Sequence, residues 1–293
     1  MPRKSASVAP LSLPSIKLSS RGAARLKSGH PWVYRSDIST SNGVPPGAIV
    51  AVTDERGKPL GTALYSSSSQ IAIRMISREE VPDLPKLISD RIRAAHAYRK
   101  NYVEHTDAYR VVFSEADFLP GLIVDRYNDV ISIQILTQAM DAEPIRGAII
   151  ETLIDELKPQ GIVERVDPRI RDLEQLPPRD SGLLWGKKSS TIITMNAAAT
   201  GSPESREPEA ESPGVRFHYD GLEGQKTGAF LDQRENYAAS ARYAHGDALD
   251  VFCYQGGFAL HLAEECKTVV GVDSSRPALE MADKNAALNN REL

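Results

Sequence analysis

The chain has 293 residues, 41% hydrophobic and 25% charged, with a formal net charge of -4, values ordinary for a soluble globular protein. No apolar run approaches the roughly 20 residues that cross a bilayer, so no membrane partner is expected. The two cysteines, Cys253 and Cys266, exclude a disulfide framework, point to a reducing, cytoplasmic compartment, and lack the partners at ligand spacing that a metal needs.

Length alone suggests about two domains, and the internal signals suggest three. Residues 1–14 read as a disordered basic tail, with Pro2, Pro10 and Pro14 among Ser and Ala. Seven cations precede the first acid, Asp37: Arg3, Lys4, Lys17, Arg21, Arg25, Lys27 and Arg35. The plain reading of residues 1–14 is a solvated tail. From Lys17 on, the same charge suits a phosphate backbone, which makes Arg21, Arg25, Lys27 and Arg35 the candidate nucleic-acid-binding residues. Gly47–Asp54, Leu60–Tyr65 and Ile71–Ile76 are short alternating strands, with a turn at Arg56-Gly57-Lys58. They predict a small β-barrel over residues 15–80 with Trp32 in its core.

Residues 81–196 predict a central α+β module. Leu84, Leu87, Ile88, Ile92, Ala95, Tyr98 and Tyr102 recur at helical spacing, and Lys86, Arg91, Arg93, Arg99 and Lys100 lie largely elsewhere on that helix. Its basic face is either solvated or turned toward RNA. Strands follow at Tyr109–Ser114, Leu122–Tyr127 and Val130–Leu136, the last two joined by an Asn128-Asp129 turn. A helix near Ala142–Leu157 and strands near Gly161–Val166 and Thr191–Met195 complete the module. His96, His105 and His218 are isolated and read as surface or packing residues. Residues 197–213 hold three prolines and four glutamates without a large apolar residue, and read as a linker.

Residues 214–293 carry the most chemistry. Leu249-Asp250-Val251-Phe252-Cys253-Tyr254-Gln255-Gly256-Gly257-Phe258 predicts a strand, a glycine turn and the start of a helix, and Val269-Val270-Gly271-Val272-Asp273 predicts a second strand tipped by an acid. A parallel sheet builds a nucleoside pocket in this way: the glycines admit the ligand to the backbone, and the acid accepts ribose hydroxyls. No G-x-G-x-x-G is present, and Asp250 before the turn suits a cationic ligand better than a pyrophosphate. S-adenosylmethionine (SAM), with an ammonium and a sulfonium, fits that description. The plain alternative is the first turn of any α/β domain. Upstream, Gly224-Gln225-Lys226-Thr227-Gly228-Ala229-Phe230-Leu231-Asp232-Gln233-Arg234-Glu235-Asn236 offers Phe230 and Gln233 to the same pocket, or else simply caps a helix. Cys253 reads as a small structural residue.

Together with Asn285-Ala286-Ala287-Leu288-Asn289, these blocks resemble the large-subunit ribosomal RNA cytosine-C5 methyltransferases of the RlmI type. The resemblance runs from Gly224 to Asn289. Leu26-Lys27-Ser28-Gly29-His30-Pro31-Trp32-Val33-Tyr34 is similar to the PUA domain at the start of that family, and Phe118–Tyr127 to its central sheet. It implies a multidomain α/β and α+β chain: a PUA β-barrel, a central α+β module, and the first part of a class I, Rossmann-like methyltransferase sheet. It further implies SAM as cofactor, with Asp250, Gly256 and Gly257 along the methionine moiety, Asp273 on the ribose, and Phe230 and Gln233 against the cofactor. The partner would be 23S-type ribosomal RNA, and a homodimer is compatible. The family's Asp-Pro-Pro-x-Phe segment and nucleophilic Cys have no counterpart in these residues. The resemblance therefore describes a C-terminally truncated chain, places the catalytic group beyond Leu293, and implies neither methyl transfer nor tight SAM binding by these residues alone. A non-catalytic RNA-binding remnant is the alternative, and an NAD enzyme a more distant one.

Overall fold

The computed structural model describes residues 13–41, 43–195, 214–223 and 228–293. The predicted tail up to residue 12, the predicted linker 197–213 and the motif residues Gly224, Gln225, Lys226 and Thr227 lie outside the described residues.

The first unit contains β1 (Ser15–Leu18), α1 (Ser20–Lys27), β2 (Trp32–Tyr34), β3 (Ile38–Thr40), β4 (Ile49–Thr53), β5 (Pro59–Tyr65) and β6 (Ile71–Ser77). Its six strands form one sheet in the order β2-β6-β5-β4-β1-β3. Strand alternation sets the inner face: in β1, Ser15 and Lys17 are exposed while Ile16 and Leu18 are buried. Those two pack with Val33, Val50, Val52, Ala63 and Ile73 in the barrel's own core. The Ser19 hydroxyl accepts from the Gly22 amide at 3.2 Å and starts α1.

The central unit contains α2 (Leu84–Lys100), β7 (Ala108–Phe113), β8 (Leu122–Tyr127), β9 (Val130–Ile135), α3 (Gln138–Asp141), α4 (Ile145–Leu157), β10 (Gly161–Glu164), α5 (Pro168–Glu174) and β11 (Gly182–Gly186). The sheet order is β11-β10-β9-β8-β7. The β9–β10 pair is parallel, so α3 and α4 form its crossover. The Asn128 turn has φ +53°, a conformation Asn tolerates. Ile88 and Ile92 of α2, Ile149 and Leu153 of α4, and Val112, Val124 and Ile133 of the sheet share one core.

Trp32 differs from its expected place in the barrel core. It is only half-buried, and its indole Nε1 donates to Glu115 Oε1 at 2.9 Å, joining the barrel to the central unit. Gln138 Oε1 strengthens that joint by accepting from the amides of Gly47 (3.1 Å) and Ser67 (2.9 Å). An indole with a polar partner at a domain seam is a stable arrangement, because its N–H need not be buried unpaired.

The remaining elements are β12 (Ser190–Met195), β13 (Val215–Asp220), α6 (Arg234–Ala241), β14 (Asp247–Val251), α7 (Gly257–Leu262), β15 (Thr268–Val272) and α8 (Arg276–Leu288). β12 and β13 form an antiparallel pair from Ser190↔Asp220 to Met195↔Val215, across the segment read as a linker. Tyr219 of β13 stacks on Tyr127 of β8 with centroids 3.8 Å apart. The same core takes in Tyr237, Leu260 and Ala286 from the last unit. β14 and β15 run parallel, with Leu249 beside Val270 and Val251 beside Val272. All four are exposed, between 49% and 62%, so one face of this strand pair presents a continuous apolar surface.

Candidate functional site

The site is built at the C-terminal ends of β14 and β15. The amides of Phe252 and Cys253 both donate to the carbonyl of Val272, at 2.7 and 3.0 Å, closing the turn onto the neighbouring strand. Phe252 and Tyr254 take the left-handed conformation at φ +68° and +49°, and Gly256 at +84°. Two non-glycine residues in that region within one turn mark stored strain, a feature of ligand-binding turns. Gly257 has a packing reason: a Cβ there would lie 2.6 Å from the ring of Tyr237.

Two carboxylates organise the turn. Asp250 Oδ2 accepts from the Ala259 amide at 3.0 Å and so caps the first turn of α7. Burial pushes its carboxyl up, the Ala259 hydrogen bond opposes that, and the charge of Asp273 adds to it. Asp273 accepts from the amides of Ser275 (2.8 Å) and Tyr254 (2.9 Å), which hold its carboxyl below the ordinary range. Each of its oxygens thus uses one lone pair on the backbone, and the carboxylate retains acceptor capacity toward solvent. Burial, with the charges of Asp250 and Asp273, pushes the Cys253 thiol up, away from the thiolate a nucleophile needs.

A cavity of about 220 Å³ opens beside the turn, lined by Tyr254, Gln255, Ser275, Ala278 and Met281, with His218 and Asp220 of β13 opposite. None of the six predicted cofactor residues lines it. Phe230 meets Tyr254 edge to face at 5.3 Å, and Asp273 holds the Tyr254 amide. Asp250, Gly256 and Gly257 sit under the start of α7. Gln233 instead accepts from the Asn236 amide group at 2.9 Å. The volume falls short of the roughly 300 Å³ at which small-molecule pockets begin, so the enclosed part has room for a portion of a nucleoside ligand, with the rest along the exposed turn.

Sequence reading missed Tyr254, Ser275 and His218 as lining residues. Tyr254 and Ser275 immediately adjoin the motif positions, and that was the signal available. The asparagines of α8 also have a defined task. Asn285, fully buried, donates to the Gln255 carbonyl at 3.0 Å and accepts from the His218 amide at 2.8 Å. Asn289 bonds both backbone groups of Arg216. This pair ties the glycine turn and the edge of β13 to one helix. Among the described residues, no group of His, Cys, Asp and Glu is placed to hold a metal, and no helix is long and apolar enough to cross a membrane.

The four predicted RNA-binding cations stand on the barrel. Arg21 and Arg25 both pair with the buried Asp37, the second at 3.0 Å, and Arg25 also lies over the Tyr34 ring. Arg35 donates to the Ser69 carbonyl at 2.9 Å. Lys27 has a looser contact, 3.5 Å from Asp54, and is exposed. His96 is buried against Glu156 at 2.7 Å, a packing role, and His105 is exposed beside Glu104.

A barrel, an α+β unit and a strand–glycine turn–helix–strand unit with a tip acid together define a multidomain chain with a methyltransferase-type α/β end. Comparison with known proteins agrees. Residues 16–78 match the family model of a PUA-like domain. The ribosomal RNA large subunit methyltransferase I of Tolumonas auensis is 35% identical over 271 residues, 90% of this chain and 64% of that protein. The protein of the same name from Vibrio cholerae is 33% identical over 285 residues, 96% of this chain and 67% of its own length. The chain belongs to the ribosomal RNA large subunit methyltransferase I family, and spans about two thirds of the length of these relatives. A solved protein described as a methyltransferase in complex with SAH shares the fold, with a TM-score of 0.74 at 19% identity over 95% of this chain and 67% of that one.

Proposed function

We propose that this chain acts in SAM-dependent methylation of large-subunit ribosomal RNA, at carbon 5 of a cytosine. The units are the barrel (residues 15–80) and central module (81–196) for RNA, and residues 214–293 for the cofactor. The observation that carries the reading is Asp273: a half-buried carboxylate at the tip of the second parallel strand, fixed by two backbone amides, beside a strained turn. SAM, when bound, supplies an electrophilic methyl group. Asp273 would accept from the ribose hydroxyls. Asp250, whose second oxygen is not engaged by the Ala259 amide, would face the ammonium, and Phe230 and Tyr254 would wall the base. Cys253 is not assigned the nucleophile's role: it is buried, and burial with the charges of Asp250 and Asp273 pushes its thiol up.

Calorimetric titration of SAM into the chain tests this. A saturable heat is expected, with affinity at least about tenfold weaker in Asp273→Asn, since a hydrogen bond to a charged group is lost. No heat from a folded chain that still binds RNA would contradict the reading and favour a non-catalytic RNA-binding protein.

A further inference from the structure

A second cavity, of about 390 Å³, lies between the barrel and α2, far in sequence from the glycine turn. Lys27, His30 and Arg78 enter it from the barrel, Arg91 and Phe118 from the central unit, and no carboxylate is among its lining residues. Arg91 is half-buried and forms no ion pair among the described residues. It donates to the Phe118 carbonyl at 2.6 Å and lies 5.6 Å from the centre of that ring. Burial pushes its guanidinium below its ordinary value, as for a cation that no carboxylate offsets among the described residues.

Phe118 is 68% exposed and holds φ +58°, a strained conformation for an aromatic residue. Its neighbourhood repeats the pattern. Asp117 pairs with Arg99 and accepts from the Phe113 amide at 2.6 Å. Phe113 is half-exposed with Arg110 at 5.1 Å from its ring, and Tyr98, under Arg99 at 5.5 Å, lies 4.7 Å from the exposed Tyr102. The exposed Phe118 face with the Arg91 guanidinium beside it, at a cleft with no carboxylate among its lining residues, suits a ligand with flat rings and a repeated negative charge.

We infer that the Arg91–Phe118 edge of this cleft is a stacking site for unpaired RNA, with phosphates on Lys27 and Arg78. This rests on the proposal that the substrate is RNA. Bases in a duplex have their faces covered by their neighbours, whereas those of a single strand are free to stack on aromatic and guanidinium planes. An acidic peptide would satisfy the cations and leave the aromatic faces unused.

The test is fluorescence anisotropy on the full chain with a short unpaired RNA, the same sequence as a duplex, and polyglutamate. Phe118→Asn removes the ring while Asn tolerates the left-handed backbone. It should weaken unpaired RNA about tenfold, as expected for one lost stack, with the salt slope unchanged. Phe118→Trp should restore affinity. Arg78→Ala should instead lower the salt slope by about 1, as for one lost phosphate contact. Thermal unfolding of each variant establishes that it is folded. Unchanged affinity in folded Phe118→Asn, a preference for duplex or polyglutamate, or no RNA binding by the parent chain would overturn the inference. SAM titration of the same samples separates these outcomes from failure of the cofactor site.

Discussion

Asp250 and Asp273 stand at neighbouring strand ends with opposite acid–base behaviour. Burial raises Asp250, and backbone amides lower Asp273. Asp273 therefore stays ionised well into acid, while Asp250 gains a proton first as pH falls. If Asp250 faces the SAM ammonium, affinity falls as pH drops through its raised pKa and recovers as pH rises through it. Calorimetry across the acid range checks the sign: the parent chain should show this dependence and Asp250→Asn should lose it. A pH-independent affinity in the parent chain would remove Asp250 from the cofactor site. The types and order of these residues were legible in sequence. Their division of labour was not, because a carboxylate that caps α7 and one that is free to bind are written with the same letter.

Hydrogen-bonded side chains set the position of several elements. Arg146 grips Glu164 with both nitrogens, at 2.9 and 2.6 Å, and Asp141 at 2.9 Å, while Arg171 and Arg179 also reach Asp141. This buried network pins α4 and α5 to the end of β10. Glu164→Ala would leave Arg146 with one acid and should lower stability by about 3–5 kcal/mol, the cost of breaking a buried pair. Chemical denaturation measures it, and a loss below about 1 kcal/mol would show that solvent replaces the partner. Most central elements were readable: β8 falls on the expected Leu122–Tyr127, and α2 buries Leu84, Ile88, Ile92 and Ala95 of its predicted stripe, whereas Tyr98 and Tyr102 are exposed and Tyr102 lies past the helix end. Among those passed over are β13, α5 and β11. The alternation in Val215–Asp220 (β13) was lost beside the Pro- and Glu-rich segment. The Asp167 cap with Pro168 signals α5, yet the helix is only 7 residues long. β11 is an edge strand with Leu183 and Trp185 exposed, so its burial pattern carried little signal.

At the scale of the molecule, three cores are joined by polar seams and by the β12–β13 pair. Sequence placed the barrel, central sheet and terminal α/β unit in order, because each has its own periodicity and turn chemistry. It did not show that β13 pairs back onto β12, a contact between segments separated by residues 196–214. Nor could it show the cleft between barrel and α2, whose cations are separated by up to 64 residues in the chain, from Lys27 to Arg91. That geometry puts the proposed RNA cleft and the cofactor turn on different units.

In the proposed function, SAM binds at the tip of β15. Ultraviolet cross-linking of labelled SAM to the chain, mapped by mass spectrometry, tests it most directly. Adducts on the segments containing Phe230 and Tyr254, suppressed by Asp273→Asn, are predicted. Adducts confined to the barrel or central unit, or insensitive to Asp273, would contradict it.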